Sequence, residues 1–268
     1  MKKTLYYAAV IIVALIFAVS AFFLIRYYVQ SRQAQNTYED LSHMVSMAQA
    51  ELPQQQTELG PAMAEVTDPE TGEVKTVLAE YAPIYQLNPD TVGWIRIEGM
   101  EIDFPVLYHP QVQDYYLYRD FYGDSSSHGA VYIREACDPF TPSDNVVIYG
   151  HRMRDGSMFS PLLQYTEKSF WESHRYIRFD ALDQYRTYEI LAVFTIDSTL
   201  DSDFLYHEFV NAEDPAEFDT FIAQCEKYAL YETDVDAQYG DKLITLSTCY
   251  GQIGGVTRLV VVAKQISE

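Results

Sequence analysis

The chain reads as a mainly β protein, an eight-stranded barrel with an amino-terminal helical extension and one helix inserted before the penultimate strand. Three observations predict this class. Eight short β-rich runs separated by turn residues follow one another from Val92 onward. A long apolar stretch and then a segment with helical spacing precede them. One amphipathic segment of helical period interrupts the succession of strands. With 268 residues, 48% of them hydrophobic and 15% aromatic, disorder as the main state is excluded.

The apolar stretch comes first. Thr4 to Ile25 is a run of 22 residues without a formal charge, flanked by Lys2 and Lys3 before it and Arg26 after it. A bilayer core needs about 20 such residues, so residues 5–25 are expected to form a transmembrane anchor. Ala18 and Ser20 resemble a signal-peptide cleavage site, but the run outlasts the usual ~7–15 residue signal core, which favours an uncleaved anchor. Residues 1–4 would be a cytoplasmic stub and the body would be extracellular, although Arg26 and Arg32 partly balance the two lysines.

Residues 26–76 read as a helical stalk and linker. Over 30–58, Leu41, Met44, Val45 and Ala48 recur at helical spacing, whereas Gly60-Pro61, Asp68-Pro69 and Thr71-Gly72 carry turn chemistry with little core material. The globular domain, 77–268, opens with a short helix ending before Asn88-Pro89. The β-rich runs follow in order: VGWIRI, IDFPVLY, GAVYI, NVVIYG, YIRF, YRTYEILAVFTI, KLITLST and TRLVVVA. Their pattern indicates a largely antiparallel barrel or sandwich. The excursion over residues 197–240 contains the helix, with Phe218, Phe221, Ile222, Cys225 and Ala229 on one face.

Charge narrows the function classes. Four of the 18 basic residues lie in 1–32 with no acid, leaving 14 against 39 acidic ones, or −25, for the rest. Such a surface repels phosphate backbones, so no nucleic-acid partner is expected; the acidity keeps the domain soluble or attracts an amine-bearing substrate. Three scattered cysteines make no disulfide framework and no zinc site, and no metal or other cofactor is expected.

An odd cysteine count leaves a free thiol, and Cys249 is the candidate nucleophile. It ends the run DKLITLSTC, in which Leu243, Thr245, Ser247 and Cys249 share one face, and a glycine-rich turn follows. Cys225 belongs to the helix core stripe, and Cys137 has no periodic context. Among the six histidines, His151 alone combines a strand end, a preceding glycine and a polar loop. Arg258 opens the last run and shares a face with Val256, Val260 and Val262, an expensive place for a charge unless it is paired with an acid or has a task. Its fixed donors suit an oxyanion or a peptide carbonyl.

Thr-Leu-Ser-Thr-Cys at 245–249, Tyr-Gly-His at 149–151 and Arg258-Leu259-Val260-Val261 together resemble the sortase family of Gram-positive transpeptidases. Asn88 to Ile95, Met158-Phe159 with Leu162, and the helix in the long penultimate connection resemble class B in particular. The resemblance implies an eight-stranded barrel and a cysteine transpeptidase. Cys249 would attack the carbonyl after threonine in a Pro-x-Thr sorting motif and form a thioester. His151 would protonate the departing amine and later deprotonate the incoming one, which comes from a cell-wall precursor or a pilin lysine. Arg258, with a backbone N–H near Tyr250, would stabilise the oxyanion, while Ser247 would bond near the substrate threonine. Tyr149, Leu117 and the 197–212 segment would line the peptide groove. The loop after Cys249 holds no acid, so a Cys-His-Arg constellation is expected rather than a carboxylate triad.

Reference thiol and imidazole pKa values of about 8.5 and 6.5 leave the thiolate–imidazolium form on the order of 1% populated, which implies slow turnover. Competing readings are a cell-surface cysteine hydrolase using water as acceptor, and an anchored adhesion module whose Cys249 is inert. Asp68-Pro69-Glu70-Thr71-Gly72 also resembles the core of a sorting motif; a plain turn is its expected role, and self-processing the alternative.

Overall fold

A computed structural model describes residues 2–52, 60–69, 71–141, 143–199 and 203–266. The part of the stalk at 53–59, Glu70 and groove residues 200–202 lie outside them. A closed barrel is formed by β3 (Thr91–Ile97), β4 (Ile102–Leu107), β5 (Val131–Ile133), β6 (Asn145–Tyr149), β7 (Tyr176–Ala181), β8 (Thr187–Asp197), β9 (Leu243–Cys249) and β10 (Thr257–Gln265). These are the eight runs read from the sequence, in the order β10-β8-β7-β3-β4-β5-β6-β9 around the barrel. Closure removes the sandwich alternative and leaves the barrel itself without an open edge.

Two of the pairings are parallel, β4 with β5 and β6 with β9. Alternation along a strand reveals burial but not pairing direction. The long connections over 108–130 and 150–242 carry the chain back to the starting end of a neighbour, as a parallel pair requires. The connection between β8 and β9 holds α4 (Pro215–Tyr228), whose Phe218, Phe221, Ile222 and Cys225 are buried as the stripe predicts. Asp214 caps it by accepting the Glu217 N–H at 3.0 Å.

The expected linker is folded. β1 (Met63–Thr67) and β2 (Val74–Leu78) form an antiparallel hairpin with Val66 and Val77 buried. The turn chemistry at 68–72 closes this hairpin: Gly72 N–H donates to the Asp68 carbonyl at 2.9 Å, and Tyr85 of α2 (Ala82–Leu87) donates to the Asp68 carboxylate at 2.8 Å. The five-residue strands are too short for a period to show in the sequence. An extended peptide at 68–72 would require this turn to open, which favours the plain-turn reading.

α1 runs unbroken from Lys2 to Glu51, over both the expected anchor and the start of the stalk. Its side chains from Lys3 to Arg26 are exposed, whereas Ser31, Tyr38, Leu41 and Val45 are buried against the barrel side. The later part is thus a docked helix, packed near β4 and α2, rather than a free stalk. Tyr38 meets Phe104 edge-on at 5.1 Å between ring centroids. A short helix α3 (Lys168–Ser173) completes the set, with Trp171 buried.

Candidate active site

β6, β9 and β10 are neighbours in the barrel, and each delivers one of the predicted catalytic residues. The parallel register pairs Tyr149 with Ser247, so His151 and Cys249, two residues beyond, emerge at the same level of the same rim. The Gly150 N–H prolongs this ladder by donating to the Ser247 carbonyl at 3.2 Å. The antiparallel register sets Arg258 directly opposite Cys249. All three side chains line one cavity of about 630 Å³. Cys249 is half-buried and open to this cavity, unlike Cys137 and Cys225, which are buried. Burial pushes the Cys137 thiol up to about 11, with the Val147 N–H opposing, and Cys225 is also raised by burial.

The imidazole is held by backbone rather than by an acid. His151 Nε2 lies 2.6 Å from the Leu117 carbonyl, which fixes the tautomer with the proton on Nε2 and leaves Nδ1 as the basic nitrogen. Burial holds the His151 pKa below the ordinary imidazole value; the Leu117 carbonyl opposes this, while the His128 and Arg258 charges add to it. A lowered value makes the imidazolium rarer at neutral pH, in the direction of slow turnover.

Arg258 is half-buried and, among the described residues, has no acidic partner, which removes the salt-bridge reading. One guanidinium nitrogen donates to the Gly255 carbonyl at 2.5 Å and to the Thr257 carbonyl at 3.3 Å. Nε and Nη2 have no partner among the described residues and remain available to a developing oxyanion. The Tyr250 N–H is already committed to the Thr257 carbonyl at 2.9 Å, because the β9–β10 ladder extends one residue past Cys249. Tyr250's own N–H is therefore engaged, which leaves the expected donor to a neighbouring N–H, and the Tyr250 side chain does not line the cavity.

Tyr149, Leu117 and Ser247 do line it. Ser247 is buried and its hydroxyl is 2.7 Å from that of Tyr206, so it meets a protein partner rather than standing free for substrate. Leu117 has a second part beyond lining the cavity, since its carbonyl orients the His151 ring.

Sequence reasoning missed several supporting groups. Arg152 donates to the Gly251 carbonyl, tying the loop after His151 to the loop after Cys249. Gly129 at φ +58 approaches the Leu117 carbonyl and His151 more closely than a side chain permits. His128 is fully buried with Nε2 at 3.0 Å from the Asp155 carboxylate. The only sequence signals were Gly129 after a histidine and an acid four residues beyond His151; neither carries a period.

A half-buried free thiol, an imidazole with a free basic nitrogen and a guanidinium with two nitrogens uncommitted among the described residues, all on one rim, suit acyl transfer through a covalent thioester. Among the described residues, no group of three or more His, Cys, Asp or Glu could hold a metal ion.

The family described as Sortase domain matches residues 95–266. Sortase B of Listeria monocytogenes is 32% identical over 179 residues, covering 66% of this chain and 69% of that protein. Sortase B of Staphylococcus aureus is 29% identical over 191 residues, covering 71% and 76%. The solved Staphylococcus aureus sortase B–substrate complex superposes with a TM-score of 0.72 at 23% identity, over 89% of this chain and 99% of that one. With an eight-stranded barrel and these matches, the chain belongs to the sortase family, class B, and is a cysteine transpeptidase.

Proposed function

We propose that this enzyme cleaves a Pro-x-Thr-type sorting motif of exported proteins after threonine and passes the acyl group to an amine of a cell-wall precursor or a pilin lysine. The observation that carries the site assignment is the register of β6, β9 and β10, which sets His151, Cys249 and Arg258 side by side. The Cys249 thiol gives its proton to Nδ1 of His151 and attacks the threonine carbonyl, and the oxyanion meets the free N–H groups of Arg258. Collapse breaks the peptide bond, His151 protonates the departing amine, and a thioester remains. The incoming amine attacks the thioester, loses a proton to the imidazole, and Cys249 leaves as thiolate. The substrate in the complex of the Staphylococcus aureus relative supports a peptide in this groove.

The amino-terminal half of α1 serves as the membrane anchor in this reading. Its support is one helix whose apolar stretch is long enough to cross a bilayer, with no side chain of that stretch buried in the protein. The catalytic domain faces the exterior, where exported substrates are met.

A peptide library of Pro-x-Thr variants, incubated with the full chain in detergent with and without an added amine, tests the proposal. Cleavage after Thr with ligated product in the presence of amine is expected. Cys249→Ala abolishes acyl-enzyme formation. Product that stays hydrolytic at every amine concentration points to a hydrolase, and no selective labelling of Cys249 by a thiol-directed electrophile points to an inert module.

A further inference from the structure

The docked part of α1 reaches the support of the catalytic histidine at two places. The Tyr38 hydroxyl donates to the Gly129 carbonyl at 3.0 Å, in a buried contact that spans 91 residues of sequence. Gly129 is wedged against the oxygen that holds the imidazole: a Cβ there would lie 2.5 Å from the Leu117 carbonyl oxygen and 3.0 Å from Cδ2 of His151. About two and three turns earlier on the helix, Ser31 donates to the Asp155 carboxylate and the Tyr27 ring stacks on His128 at 6.3 Å. Asp155 also accepts from both the side chain and the backbone of Ser157 and faces Nε2 of His128, the residue before Gly129. Both loops flanking His151, 126–129 and 152–158, are thus fastened to one helix.

We infer that α1 is a positioning element for catalysis: from outside the barrel, Tyr38 and Ser31 brace the two loops that hold His151, so releasing these contacts slows acyl transfer in a folded enzyme. The physical basis is that a catalytic group is only as well placed as the groups that support it, and that misplacement by about 1 Å can cost 10²-fold in rate. Tyr38 and Ser31 touch neither the cavity thiol nor its guanidinium, and act only through the loops.

The inference rests on the transpeptidase reading. The test uses the full chain in detergent micelles and compares wild type with Tyr38→Phe, Ser31→Ala, the double variant and Ser31→Thr. Tyr85→Phe is the control: it also loses one buried tyrosine hydrogen bond, to Asp68 on the hairpin, away from His151. The double variant is expected to lower the single-turnover acylation rate about 10-fold with KM for the peptide within twofold. Ser31→Thr restores the Ser31 share, and Tyr85→Phe lowers thermal stability without slowing acylation.

A second readout follows the imidazole itself. His128, Arg258, Cys249 and the Tyr118 ring, 5.7 Å away, surround His151. Burial dominates its lowered pKa, so a loosened ring that gains water moves the acid limb of kcat/KM upward, toward ordinary imidazole. Unchanged acylation and an unmoved acid limb in a folded double variant would overturn the inference, as would an equal loss in Tyr85→Phe. Absence of acylation in wild type would instead remove the transpeptidase reading.

Discussion

Gly129→Ala probes the catalytic geometry at its tightest point. The added methyl would meet the Leu117 carbonyl oxygen at 2.5 Å, the Tyr116 carbonyl oxygen at 2.8 Å and His151 Cδ2 at 3.0 Å. Restoring ordinary contact requires a displacement of about 0.5–1 Å. Both Leu117 and Tyr116 present backbone at this point, so the imidazole, bonded to Leu117 at 2.6 Å, must move with its support. A shift of that size in a catalytic base is expected to slow acylation by about 30–100-fold, or roughly 2–2.7 kcal/mol of barrier. The left-handed conformation at φ +58 adds about 1–2 kcal/mol of strain to the folded state. Gly72→Ala isolates that strain, because Gly72 sits at φ +75 with nothing within 4 Å of its added methyl. The assay is quench-flow formation of the acyl-enzyme, read by intact mass, alongside thermal melting. Both variants should melt lower, and only Gly129→Ala should acylate slowly. A folded Gly129→Ala enzyme that acylates within threefold of wild type would refute the reasoning.

Other perturbations give distinct outcomes. Arg258→Ala should reduce kcat by about 10²–10³-fold, the scale of a lost oxyanion donor, while the fold survives. The same variant should raise the acid limb of kcat/KM, because the Arg258 charge contributes to holding the imidazole pKa down. In wild type that limb should fall below pH ~6.5, since a lowered His151 pKa keeps the required neutral resting form populated further into acid; a limb well above it contradicts the buried placement. Tyr206→Phe frees the Ser247 hydroxyl and should cost about 1 kcal/mol in stability, measured by denaturant titration, with peptide KM altered more than kcat.

The strands and the candidate site residues were legible in the sequence for the same reason. β3 to β10 lie in runs rich in β-branched and aromatic residues that stand out between turn residues, and His151, Cys249 and Arg258 each lie at or just beyond one end of such a run, where a polar group breaks the pattern. Their convergence was not readable from spacing, because it depends on the parallel pairing of β6 with β9. The hairpin β1–β2 was read as a linker, since its short strands lack a period while its turn residues are conspicuous. That the ladder consumes the Tyr250 N–H is a matter of one residue in strand length, which no pattern in the sequence sets. Tyr206, His128, Asp155 and Gly129 matter through contacts between distant segments, as in the Tyr206–Ser247 bond across 41 residues, which no local pattern encodes.

The adjacency of β6 and β9 separates two design problems that many enzymes must solve together. The backbone ladders set thiol and base at one level, the Leu117 carbonyl and the loops around it hold the ring, and the β8–β9 connection is an appendix that places Tyr206, His207 and Glu208 on the cavity wall. That appendix can be lengthened, shortened or exchanged with little leverage on the alignment of thiol and base. Grafting another such segment onto this scaffold should change which peptide is accepted before it changes how quickly an accepted one reacts.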